Sequence, residues 1–139
     1  MLVQVHLEDL KSQETLYHGL AEYQLLDTGS FCVSFGTAKE QSTWKVLKKG
    51  MLIQNESEVK TRLFLPYIGD GKANVHTPYG DMEMAISKIK CEIQTTEKEE
   101  QSSTNPEKMG KEWIKVIHLS YLLDETEYFY FQMTLNMHK

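Results

Sequence analysis

Residues 128–137 alternate without a break: Phe129, Phe131, Met133, Leu135 and Met137 fall on odd positions, Tyr128, Tyr130, Gln132, Thr134 and Asn136 on even ones. Successive side chains of a β-strand point to opposite faces, so this run is a half-buried strand. A helix would scatter the odd-numbered apolar side chains around its circumference. The same period recurs along the chain. Val3, Val5 and Leu7 share a face in residues 2–7. Phe31, Val33 and Phe35 alternate with Cys32 and Ser34, and Val59, Thr61, Leu63 and Leu65 alternate with Lys60, Arg62 and Phe64. Residues 43–47 and 51–53 flank a turn at Lys48-Lys49-Gly50. Met82, Met84 and Ile86 share one face, and Ile89, Cys91 and Ile93 follow with the parity reversed. One extra residue reverses every later side chain, so a bulge or sharp bend is expected at Ser87-Lys88. Residues 113–123 form a long apolar strand whose pattern selects neither face.

Turn chemistry separates these runs. Asp27-Thr28-Gly29-Ser30 and Gly69-Asp70-Gly71-Lys72 offer glycine for positive φ, and Thr77-Pro78-Tyr79-Gly80 fits a type I turn. Short strands at this spacing indicate a sandwich or barrel. The expected fold is all-β: a closed or nearly closed antiparallel barrel forming one domain over residues 1–139. Two segments depart from the pattern. Residues 14–26 place Leu16, Leu20 and Tyr23 at helical spacing, while Gly19 weakens a helix by ~1 kcal/mol relative to Ala, so helix and strand both stay open there. Residues 95–111 carry almost no apolar side chains and are expected to form a mobile, solvated loop.

Composition narrows the function classes. With 139 residues, 40% apolar and 25% charged, the chain can bury a full core. Its net charge of -5 disfavours nucleic acid, which attracts a basic face. The N-terminus lacks the pattern of a signal peptide, and no run approaches the ~18 apolar residues of a spanning helix. A cytoplasmic location, with no membrane partner, is the resulting expectation. Cys32 and Cys91 then read as free thiols acting as small core hydrophobes.

The stretch EVKTRLFL, followed after a short turn by HTPYGDMEMAI, resembles the YwiB-like family of bacterial proteins of unknown function. The resemblance rests on Val59-Lys60, Phe64 and Thr77-Pro78-Tyr79-Gly80, and the strand order extends it over nearly the whole chain. It implies a calycin-type barrel similar to lipocalins, and a strand at residues 14–26. It carries no activity. Asn55 and Ser57 stand where the family tends to have Arg and Gly, and an anion-binding role for that Arg is therefore absent here. Residues 95–111 also exceed the family's usual hairpin.

No catalytic, metal or cofactor signature emerges. His6, His18, His76, His118 and His138 lie outside any HExxH or paired Cys/His spacing, and no Gly-x-Ser-x-Gly elbow occurs. Lys60 and Arg62 share a strand face. Turned inward, it offers two cations to an anionic ligand; turned outward, it is a solvated surface, the commoner fate. Lys60, Arg62, His76 and Tyr79 are the candidate ligand contacts, with Trp44 and Trp113 as further aromatics for a pocket rim. The leading reading is a non-catalytic barrel binding a small apolar or weakly anionic ligand. The alternative is a protein–protein interaction module or homodimer acting through a strand edge or the outer face. Circular dichroism of the purified protein should show a β spectrum with under ~20% helix, well below the usual third.

Overall fold

The computed structural model describes residues 1–27, 29–98 and 112–137. Ten strands follow one another: β1 (Leu2–Asp9), β2 (Glu14–Leu25), β3 (Phe31–Gly36), β4 (Gln41–Val46), β5 (Gly50–Glu56), β6 (Lys60–Pro66), β7 (Gly71–Thr77), β8 (Gly80–Lys98), β9 (Glu112–Leu123) and β10 (Glu127–Met137). Every neighbouring pair is antiparallel, and β1 joins β10 to close an up-and-down barrel. The β1–β2, β3–β4, β5–β6, β7–β8 and β9–β10 turns therefore lie at one end, called here the upper mouth, and the β4–β5 and β6–β7 turns at the lower end.

The alternation sets the two faces. Met133 and Leu135 are fully buried, and Tyr130 on the opposite face is 42% exposed. Val3, Val5, Val33, Met51, Leu65, Ile86, Ile117 and Leu119 complete the centre of the core. Each such side chain contributes ~1.5–3 kcal/mol on burial. Gly50 lets β5 and β6 approach: a Cβ there would lie 2.6 Å from the Leu65 carbonyl oxygen.

The parity reversal is a real irregularity. Residues 80–86 of β8 pair with β7, residues 86–98 pair with β9, and the register slips between Ser87 and Lys90. Lys88 takes the bend with φ 51. One strand thus serves two neighbours with its two halves.

One open choice closes as the family resemblance implies, and two expectations change. The open choice at residues 14–26 resolves to strand, because residues 14–22 find a ladder with β1 that a helix could not make. Of the loop expected at residues 95–111, residues 95–98 instead continue β8 opposite β9, so backbone pairing outweighs their polarity. Residues 99–111 lie outside the described residues. Cys32 sits on the outer face between the inward Phe31 and Val33, with its Sγ 4.0 Å from Ser34 Oγ, whereas Cys91 packs against the core beside Met51. Both thiols are free. In urea unfolding, Met133→Ala should lose ~2–5 kcal/mol of stability, as a buried truncation does. Tyr130→Ala should lose under ~1 kcal/mol, as an exposed site does.

Candidate functional site

The barrel interior is filled at its lower end. Tyr23 packs between Phe31 and Trp113 at ring distances of 5.4 and 4.9 Å. Lys115 lies 5.3 Å from both the Phe31 and Trp113 rings and donates to Thr95 Oγ1 at 3.1 Å. Burial there lowers its pKa, with Glu97 opposing the shift.

Toward the upper mouth the core gives way to a partly open pocket. A cavity of about 450 Å³ has inner walls of Leu7, Trp44, Ile53, Leu63, Tyr121 and Phe131. The aromatic rings brace one another: Trp44 meets Phe131 edge-on at 6.4 Å, and Tyr121 lies 6.2 Å from Phe131 and stacks on Phe129 at 5.4 Å. Braced rings form a preorganised apolar surface.

The opening lies where the ladder splays. β2 meets β3 through residues 22–25 alone, while residues 14–19 pair only with β1. Leu16 and Tyr17 therefore face Phe35, Gly36, Thr37 and Glu40 across a gap, and all six line the cavity. The Tyr17 ring bridges the gap, 4.8 Å from Phe35, and its hydroxyl donates to the Leu20 carbonyl at 2.6 Å. Gly36, at φ 140, makes the turn at this lip.

Polar groups gather at one level of the wall. Ser42, Asn55 and Thr61 occupy adjacent positions on β4, β5 and β6, on the inner face. Ser42 Oγ donates to Asn55 Oδ1 at 2.7 Å. Thr61 Oγ1 is buried without a partner among the described residues, which costs ~1–3 kcal/mol unless something satisfies it. Among the residues lining the cavity, Glu40 is the one charged side chain. No group of three or more His, Cys, Asp or Glu among the described residues could hold a metal ion.

The sequence candidates stand elsewhere. Lys60 and Arg62 point outward from β6, with Lys60 opposite His76 on β7. His76 contacts Asp81, so that wall carries mixed charge. Tyr79 is fully exposed at the β7–β8 turn. The outer wall brings Lys60 and His76 together, but none of the four lines the interior cavity. Trp44 does line it, and Trp113 packs at the lower end. Ser42, Asn55 and Thr61 were missed as a group. Their signal is polarity at inward parity: each precedes or follows a run of buried residues two positions apart.

No protein-family model matches the chain, and no curated relative is found. Among solved structures, the chain is similar to the ywiB protein from Bacillus subtilis. The TM-score is 0.63 at 17% sequence identity, covering 99% of this chain and 89% of that one. That likeness supports a YwiB-like fold.

Burial also sets a pH dependence. It raises the Tyr121 phenol from 10.0 to about 12, and raises the Cys91 thiol from 9.0 to about 11, with Glu92 adding to the latter. Both groups hold their protons more tightly folded than unfolded. The associated stability is present below pH 9–10 and lost as pH rises toward 11–12. Denaturant midpoints should therefore fall across that window, and Tyr121→Phe should flatten the decline above pH 10.

Proposed function

We propose that this chain is a non-catalytic, small-molecule-binding barrel of calycin type, related to the YwiB-like proteins, which takes a largely apolar ligand through the upper mouth. The observation that carries this reading is a partly open, aromatic-walled cavity of about 450 Å³ at the gap between β2 and β3. A cavity of that volume is in the range that holds small ligands. The lining has one acid and no base, which supports an apolar ligand over a weakly anionic one. Polarity also supports a role in water, without nucleic acid or membrane: the wall of Lys60, Arg62, Lys72 and Glu83 is solvated, the reverse of the lipid-facing band of a membrane barrel.

A second reading, as an interaction module or homodimer, draws on β8. Its residues 90–98 pair with β9 and have no second strand neighbour among the described residues. Lys90, Glu92 and Gln94 interrupt that edge with polar side chains, which discourages pairing with another chain.

Titration with the neutral dye Nile red tests the first reading. Binding at ~1–10 μM, equivalent to ~7–8 kcal/mol, is expected. Leu63→Trp, which fills the cavity, should abolish it, and Lys60→Ala/Arg62→Ala should leave it unchanged. Undiminished binding by Leu63→Trp would place the dye elsewhere and end this proposal.

A further inference from the structure

We infer that the cavity selects an uncharged aromatic compound bearing a carbonyl or carboxamide group, and rejects the corresponding carboxylate. This rests on the binding-barrel reading above. The deeper wall, Trp44, Leu63, Tyr121 and Phe131, offers ring faces and aliphatic surface to an aromatic body. One row above Trp44 and Leu63 lie Ser42, Asn55 and Thr61. Ser42 engages Asn55 Oδ1, which leaves the Nδ2 donors uncommitted among the described residues. Asn55 lines the cavity, and a neutral carbonyl oxygen is the acceptor its Nδ2 lacks.

A carboxylate meets a different balance. It would lose its hydration in a cavity that offers no cation, and it would enter past the Glu40 carboxylate. Lys60 and Arg62 stand on the far side of the wall, directed into solvent. Neutral donors satisfy a carbonyl fully but compensate a buried anion only in part. The site therefore discriminates by charge at the head group while the ring contacts remain common to both compounds.

Competition against Nile red at pH 8, using naphthalene, naphthamide and naphthoate, tests the inference. Naphthamide should bind about tenfold tighter than naphthoate and a few-fold tighter than naphthalene. Asn55→Leu should bring naphthamide down to the naphthalene level while naphthalene binding holds. Glu40→Lys, a change at an exposed position, should tighten naphthoate about fivefold or more. Naphthoate binding as tightly as naphthamide to the unmodified protein, naphthamide binding indifferent to Asn55→Leu, or naphthoate binding indifferent to Glu40→Lys would overturn the inference. If naphthalene binds without preference for the amide, the head-group selection fails alone. If none of the three displaces the dye, the cavity reading fails with it.

Discussion

The barrel depends on closing its backbone hydrogen-bond ladder, and closure depends on β8 bending at Ser87–Lys90. Before the bend, β8 supplies the partner that β7 needs; after it, β8 supplies the partner for β9. A straight strand would leave one of them with a row of unpaired amides and carbonyls, each costly when buried. The extra residue also turns Ile89 and Cys91 toward the core, so the same irregularity that closes the ladder keeps the apolar face continuous.

The ladder parts at two places: β8 runs past β7 after residue 86, and β2 parts from β3 toward the upper mouth. The β2–β3 ladder covers residues 22–25 and then stops, and above that point the two strands are joined by the Tyr17–Phe35 ring contact. The lost backbone pairing creates a gap, and the gap opens onto the part of the interior that side chains do not fill. Fold and candidate site are therefore two consequences of where strands pair and where they part.

Along the inner face of β4, β5 and β6, polarity is arranged by depth. The row containing Trp44, Ile53 and Leu63 is apolar, and the row above it contains Ser42, Asn55 and Thr61. Ser42 and Asn55 face the cavity and bond each other, so they are tolerated on an inward face, whereas the Thr61 hydroxyl is buried beside them without a partner among the described residues. In the cavity lining, charge is kept to Glu40 at the lip, and on the outer wall Lys72 pairs with Glu83 and His76 with Asp81.

The local period by itself determined the strands: the alternation at 128–137 and the parity reversal at Ser87–Lys88 record, residue by residue, which side chains must leave water. It also contained the site in outline, since Asn55 and Thr61 share parity with Ile53 and Leu63, though Asn55 drew notice only as a departure from a family pattern. The exposed basic pair Lys60 and Arg62 was more conspicuous, because charge is visible in a sequence and concavity is not. Local pattern left residues 14–26 open between helix and strand, and only the tertiary structure decided that β8 has two partners and that the β2–β3 ladder ends early. Those features depend on pairings between residues distant in the chain, and local periodicity fixes which way a side chain points without fixing which strand lies beside it.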